Sequence, residues 1–159
     1  MRKISIFTFC LFSLLITSCN TSSNGALFNG ENSDQWNLSG STSVQDGILT
    51  LSGNDAQAIL KKGNYKNFDL NIELRTTPGG KGEVWFHTDP SLDKGYHVAI
   101  NNDREDSIWW KMTGSLVSIR NLAKSFVKEG EWFKMNIRVI GQEVSVHIND
   151  EPVVEYIEP

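Results

Sequence analysis

The residues best suited to chemistry lie on two neighbouring strands that a polar loop, residues 89–94, separates. The first strand carries Glu83 and His87, and the second carries His97. An imidazole titrates near neutral pH and can act as a base, while a nearby carboxylate can orient it or act as the base instead. The hairpin therefore predicts a polar site suited to acid–base chemistry.

Alternation along the two strands predicts one core face and one polar face, because successive side chains point to opposite sides of a strand. The apolar face holds Val84, Phe86, Tyr96, Val98 and Ile100. The polar face holds Glu83, Trp85, His87, His97, Ala99 and Asn101. With the two faces in phase, the predicted register sets His87 against His97, Trp85 against Ala99 and Glu83 against Asn101.

Each of these side chains also has a plainer interpretation. Paired histidines can be a simple cross-strand contact on a solvated face, and Glu83 can be an ordinary solvated carboxylate. Trp85 can cover a small second apolar cluster. Because these alternatives stay open, the polar face is a candidate site.

The N-terminus predicts a lipoprotein leader followed by a single domain. Charged Arg2 and Lys3 precede an apolar run that is too short to span a bilayer, and the run ends in the small residues before Cys19. We expect residues 1–18 to be a removed signal peptide, Cys19 to carry lipid, and residues 19–25 to form a tether to a domain at 26–159. This predicts a cell-envelope protein anchored in the membrane, on the periplasmic side or at the outer membrane; an ordinary secretory signal is the alternative.

Composition excludes several classes of protein. The chain has 159 residues, enough for one domain with a sizeable core, and two cysteines, Cys10 and Cys19. Because both fall in the leader or at the lipid site, disulfides, zinc–thiolate centres and cysteine nucleophiles are not expected in the folded part. Loss of the leader leaves 13 basic against 19 acidic residues, a net charge near −6. Nucleic acid is therefore not an expected partner.

Short alternating segments with turn signals predict an all-β fold. Asp46-Gly47 is typical of a two-residue hairpin turn, and the most regular alternation runs from residue 68 to 75. Further strands are expected at residues 108–112, which would put Trp109 and Lys111 on one face, and at residues 115–119. About ten strands without a helical period favour two packed antiparallel sheets, a β-sandwich.

The order and spacing of several motifs resemble one known family, the 3-keto-disaccharide hydrolase domain, over nearly all of residues 26–157. The motifs are Leu27-Phe28-Asn29-Gly30, Asp46-Gly47-Ile48-Leu49, Phe68-Asp69-Leu70, Glu73-Leu74-Arg75, Gly79-Gly80, Glu83-Val84-Trp85-Phe86, Gly95-Tyr96, Gly130-Glu131-Trp132, Val146-His147-Ile148-Asn149-Asp150 and Val153-Val154.

The resemblance implies a concanavalin-like jelly roll with a carbohydrate site on its concave sheet, near Asp103 and Arg104. Family members often carry Arg at the position of His87, and Glu and Gln at the positions of His97 and Ala99. They also usually continue to closing strands, so the resemblance implies one of two alternatives: the sequence is a fragment, or the sandwich lacks its last strands and leaves a sheet edge open.

The resemblance also implies hydrolysis of glycosides already oxidised at C3. A C3 ketone acidifies the C2 hydrogen, so the enzyme needs one base and one group that stabilises the oxyanion. His87 or His97 can be the base, with Glu83 orienting it or replacing it. Lys111, Arg104 or a divalent metal held by imidazole and carboxylate can stabilise the oxyanion.

We therefore expect a lipid-anchored glycoside hydrolase with its reacting centre at Glu83, His87 and His97. Substrate contacts are expected at Trp85, Asn101, Asp103, Arg104, Trp109 and Lys111. Trp85 and Trp109 would form flat platforms for the C–H face of a sugar ring. The alternatives are a carbohydrate-binding module without catalysis and a scaffold that binds a protein through the same aromatic face.

Overall fold

The computed structural model describes residues 25–89 and 91–159, and the predicted leader, Cys19 and most of the tether lie outside these ranges. The strands are β1 (Trp36–Gln45), β2 (Ile48–Leu60), β3 (Phe68–Leu74), β4 (Lys81–Phe86), β5 (Tyr96–Asn101), β6 (Phe133–Ile140), β7 (Glu143–Ile148) and β8 (Glu151–Ile157). None of the described residues forms a helix of the length and apolarity needed to cross a bilayer. The chain divides into two compact units at Lys62 and Gly63.

The first unit contains a long antiparallel hairpin of β1 and β2. Its turn is Asp46-Gly47, as predicted, with φ of 52° and 78°. Positive φ at both turn residues matches the right-handed twist of the two strands. The indole N–H of Trp36, the first residue of β1, donates to the Leu27 carbonyl at 2.7 Å, which attaches the segment before β1 to this hairpin.

The second unit is a two-layer antiparallel β-sandwich. One layer is a four-stranded sheet in the order β3-β6-β7-β8, and the other is the β4-β5 hairpin. In β6, buried Phe133, Met135, Ile137 and Val139 alternate with more exposed residues, and all four belong to the core cluster. Val84 and Val98 contribute to the same cluster from the β4-β5 layer. The all-β antiparallel fold predicted from sequence is confirmed.

A hydrogen bond ties β5 to the end of the chain. The Tyr96 hydroxyl donates to Glu158 Oε1 at 2.5 Å, and the Tyr96 ring also lies 6.3 Å from the Tyr156 ring. The hydrogen bond to the Glu158 carboxylate, together with desolvation by burial, raises the pKa of Tyr96 above its usual range. Residues just beyond β8 therefore help to hold β5.

Two predicted strands are not formed as expected. Residues 107–110 are a turn, closed by the Lys111 N–H donating to the Ile108 carbonyl at 3.0 Å, so the predicted strand at 108–112 is wrong. Of residues 115–119, only Leu116 makes β-bridges, to Val98 and Arg120. The positive φ of Gly114 (92°) and Ser118 (65°) interrupts the extended backbone on either side.

Residues 113–117 nevertheless line the edge of β5 that β4 leaves free. The Ala99 N–H donates to the Ser115 carbonyl at 2.9 Å, and the Val117 N–H donates to the His97 carbonyl at 3.1 Å. The backbone of β5 is thus bonded on both sides, which holds the strand that carries His97 in place.

Two isoleucines on β6 test the assignment of the core. Ile137 is fully buried and Ile140 is 46% exposed. We expect Ile137→Ala to lower the free energy of unfolding by about 2–5 kcal/mol, because it removes buried methylenes and leaves a cavity. Ile140→Ala is the matched control and should change it by less than about 1 kcal/mol. Urea denaturation followed by tryptophan fluorescence measures both, and equal losses would contradict the described core.

Candidate functional site

The register of the β4-β5 hairpin differs from the predicted one by one pleat. The observed pairs are Lys81 with Asn101, Glu83 with Ala99, Trp85 with His97 and Phe86 with Tyr96. Pairing stops at Phe86 because His87 has φ of 49°, which takes it out of the extended conformation. Gly95 allows the loop to close, since a Cβ there would lie 2.8 Å from the His87 carbonyl oxygen.

The predicted division into faces survives this shift, because moving the pairing by one full pleat keeps the same side chains together. Val84, Phe86 and Val98 face the core, as predicted. The predicted cross-strand pairs are wrong, because none of them is observed: His87 with His97, Trp85 with Ala99 and Glu83 with Asn101.

Glu83, Trp85 and His97 form a contiguous group on the polar face. The Trp85 indole N–H donates to Glu83 Oε2 at 2.9 Å. The other carboxylate oxygen, Oε1, lies 3.6 Å from His97 Nε2. The Trp85 and His97 rings stack at 4.2 Å between centroids and 21° between planes. One carboxylate is thereby held between an indole and an imidazole.

His87 does not join this group. Its Nε2 lies 3.0 Å from the Lys66 carbonyl oxygen, and its ring meets the edge of the Phe68 ring at 5.9 Å between centroids. The positive φ that ends β4 directs the side chain toward the start of β3. The expectation that both imidazoles emerge beside Trp85 is therefore wrong for His87.

Asn101 lies one pleat beyond Ala99 and takes part in a charged network. Its amide donates to Asp106 Oδ2 at 2.7 Å, and Lys81 Nζ lies 2.8 Å from the same oxygen. The hydrogen bond from Lys81, followed by those from the Ile108 backbone and from Asn101, lowers the pKa of Asp106 to about 2. Asp106 stays ionised and joins β4 to the loop after β5.

A second polar network fixes the base of this loop. The buried Asn102 side-chain oxygen accepts hydrogen bonds from the Thr113 hydroxyl at 2.5 Å and the Ser125 hydroxyl at 3.0 Å. Asp103 contributes through its backbone N–H, which donates to Asn101 Oδ1 at 3.1 Å. Buried polar groups that are all bonded in this way set one arrangement of the chain. Asp103 was predicted as a substrate contact, and the structure shows that its backbone helps to shape the loop.

Arg104 and Trp109 line a cleft of about 190 Å³, together with Met112, Ala123, Lys124 and Ser125. Trp109 is 55% exposed and meets Trp110 edge to face at 5.8 Å. Lys111 is half-buried next to this turn. Because residues 107–110 turn, no strand face is shared by Trp109 and Lys111.

A larger cleft, of about 340 Å³, lies on the outer side of the four-stranded sheet. It is lined by Asn71, Ile72, Glu73, Lys134, Asn136 and Asp150. The lining has no aromatic ring against which a sugar could stack. We therefore place the candidate site on the β4-β5 layer, where aromatic, acidic and imidazole side chains meet.

Sequence reasoning missed Lys81, Asp106, Asn102 and Lys124. The charged residues after Asn101 are typical of a hydrated turn, and only the fold shows that Asp106 turns back to Lys81. As for a metal, Glu83 and His97 supply two donor groups, and nowhere in residues 25–89 and 91–159 do three or more His, Cys, Asp or Glu side chains gather as ligands.

Two comparisons with known proteins find a match, and both matches are named for action on glycosides. The sequence profile of the 3-keto-alpha-glucoside-1,2-lyase-like domain matches residues 24–159. A crystal structure of a proposed glycosyl hydrolase from Parabacteroides distasonis ATCC 8503 aligns with a TM-score of 0.71 at 20% identity, over 83% of this chain and 70% of that chain. At this identity the structural match establishes a shared fold. A comparison with curated proteins finds no match.

The low pKa of Asp106 predicts how its network responds to acid. A carboxyl group whose pKa is lower in the folded than in the unfolded chain stabilises the fold above its unfolded pKa, and this contribution is lost as pH falls to the folded value. For Asp106 the window runs from its ordinary 3.8 down to about 2. We expect Asp106→Asn to remove this part of the acid sensitivity, measured as unfolding free energy at several pH values in that window.

Exposed Glu105, the adjacent residue, provides the control. Glu105→Gln should leave the acid dependence close to that of the wild type. Equal acid profiles for wild type and Asp106→Asn would contradict the ion pair with Lys81.

Proposed function

This chain belongs to the 3-keto-alpha-glucoside-1,2-lyase-like family, and we propose that it cleaves glycosides oxidised at C3 by removing the C2 proton. The coarse assignment, action on carbohydrates by a hydrolase-like domain, is supported by the family and by the fold shared with the Parabacteroides protein. The finer assignment of residues rests on the Glu83, Trp85 and His97 group.

The proposed chemistry needs no pair of carboxylates flanking the glycosidic bond. A base takes the hydrogen from C2, and the electron pair of that C–H bond is delocalised onto the C3 oxygen as an enediolate. Collapse of the enediolate forms a C1–C2 double bond and breaks the C1–O bond, and the leaving oxygen takes up a proton. Addition of water across that double bond, with OH at C1 and H at C2, completes net hydrolysis.

The observation that carries this proposal is the position of Glu83 beside His97. Oε1 of the carboxylate faces Nε2 of the imidazole at 3.6 Å. Attraction between a carboxylate and an N–H favours the tautomer with its proton on Nε2, which leaves a lone pair on Nδ1. In the proposal, Nδ1 of His97 takes the C2 proton and Glu83 stabilises the imidazolium that forms.

The aromatic residues have separate roles in this proposal. Since the His97 ring covers one face of Trp85 at 4.2 Å, only the opposite face of that indole is left for a sugar. Trp109, more exposed, would contact the substrate farther along, at the cleft it lines. Lys111 is the cation that we propose for the C3 oxygen, where it would stabilise the enediolate.

The two hairpin histidines provide a matched test. We expect His97→Asn to lower kcat on a 3-keto-disaccharide by about 10²–10⁴, the usual contribution of a positioned base. His87→Asn should stay within about threefold of wild type, because His87 lies apart from Glu83 and Asn is among the residues that tolerate its positive φ. Sugar product measured by chromatography gives both rates. Undiminished turnover in His97→Asn would remove it from the mechanism.

Product analysis separates the steps. A lyase that stops after elimination releases an unsaturated 2-hydroxy enone, which absorbs in the ultraviolet, whereas full hydrolysis in D₂O places deuterium at C2 of the released 3-keto sugar. Running both reactions with and without a chelator tests whether they require a divalent metal.

A carbohydrate-binding module without catalysis is the second candidate. It is favoured by the 3.6 Å separation in the Glu83–His97 pair, which is longer than a hydrogen bond, and by the exposure of Trp109. Saturable binding of a 3-keto-disaccharide, seen as a change in tryptophan fluorescence, with no product under any metal condition would favour this function over the enzyme.

We also propose that the protein is lipid-anchored in the cell envelope through Cys19. The support is the order of small residues before that cysteine after a short apolar run. In bacterial cells fed a radiolabelled fatty acid, the wild-type chain should take up label and partition with membranes, and Cys19→Ala should do neither. Label that persists in Cys19→Ala would contradict the assignment.

A further inference from the structure

We propose that the 190 Å³ cleft beside β5 binds a sugar unit that carries a carboxylate. The inference rests on the proposed function, because it makes this cleft the place where the acidic half of the substrate lies while the other half reaches His97. It adds a substrate class, acidic glycosides such as those containing a uronic acid.

The walls of the cleft come from two loops that are bonded to each other. Both belong to the connection between β5 and β6: Arg104 and Trp109 lie in its first part, and Lys124 and Ser125 lie in its last part. The Ser125 hydroxyl donates to the Asn102 side-chain oxygen at 3.0 Å and is itself buried. Buried Ser125 therefore fixes one part of a lining to which Arg104 and Lys124 also contribute, and Lys124 Nζ lies 5.6 Å from the ring centroid of neighbouring Phe126.

The charge of the lining has one sign. Two of its six residues, Arg104 and Lys124, are cationic, and none is acidic. Neither cation lies within ion-pair distance of a carboxylate in the part of the chain that the structure describes. The whole chain has a net charge of −4. A lining with two cations and no acidic residue therefore differs in charge from the rest of the chain and would attract an anionic ligand.

Two of the acidic residues that flank Arg104 in sequence are occupied elsewhere. Asp103 Oδ1 accepts the Glu105 N–H at 2.9 Å within its own turn. Asp106 is held by Lys81 at 2.8 Å and by Asn101. The guanidinium of Arg104 is therefore left for an external anion, and its planar fork matches a carboxylate in two parallel hydrogen bonds.

Size and aromatic surface identify the remainder of the ligand. A volume of about 190 Å³ is below the range of about 300–1,000 Å³ that suits drug-sized ligands, so the cleft is sized for one sugar ring. Trp109 in the lining offers an exposed indole for the C–H face of that ring. A cation beside an aromatic platform is the combination that an acidic monosaccharide unit requires.

The experiment compares two 3-keto-glucosides that differ only in the second sugar, glucose or glucuronic acid. Wild type should show a kcat/KM for the acidic substrate at least about tenfold above that for the neutral one at low salt, and the ratio should fall toward one at about 0.5 M salt, where exposed charges are screened. Arg104→Gln and Lys124→Gln should each lower the ratio at least about threefold, whatever they do to the neutral substrate. Lys128→Gln, an exposed cation of the same loop outside the cleft, should leave the ratio unchanged.

Binding provides a readout that does not depend on turnover. Intrinsic tryptophan fluorescence titrated with methyl glucuronide and methyl glucoside should show tighter binding of the glucuronide, lost in Arg104→Gln. If no 3-keto substrate is cleaved but this preference persists, the proposed function is wrong and the acidic subsite stands. If cleavage proceeds with equal kcat/KM for both substrates and neither ligand is preferred, the acidic subsite is overturned and the proposed function stands.

Discussion

The pleat of the β4-β5 hairpin is the constraint on which the candidate site depends. Burial of Val84, Phe86 and Val98 in the core forces the intervening residues outward, so Glu83, Trp85 and His97 must share one face. Any chemistry proposed for this face is therefore tied to the packing beneath it. A slip by one residue would bury the carboxylate and expose the core, which the hydrophobic effect opposes.

The sequence predicted well those features that follow from alternation and turn chemistry. The Asp46-Gly47 turn, the alternating β3 and β6, and the assignment of hairpin faces all depend on local periodicity, and all are observed except for His87, which leaves the polar face. The register was not predictable in this way, because two pairings one pleat apart bury the same side chains. The backbone of His87, with φ of 49°, decides between them, and no pattern of residue types indicates that value.

The loop after β5 shows the limit of reading residues in isolation. Apolar residues from Ile108 onward favoured a strand, but the Lys81–Asp106 ion pair and the buried Asn102 amide bend this segment into a turn. These contacts join residues that are 25 and 11 apart in sequence, so local propensity could not reveal them. The same contacts carry Arg104 and Trp109 to a cleft wall, which no strand at 108–112 would do.

The hydrogen bond between Tyr96 and Glu158 connects the segment after β8 to the strand that carries part of the candidate site. Tyr96 immediately precedes His97 in β5, so this hydrogen bond lies at the end of the strand that carries the imidazole. Exchange of Glu158 for an apolar residue would leave the phenol without this acceptor, while the backbone hydrogen bonds on both sides of β5 would still hold the strand. A position 75 residues from Glu83 in sequence would then act on the Tyr96 ring, which lies on the face of β5 opposite to the imidazole.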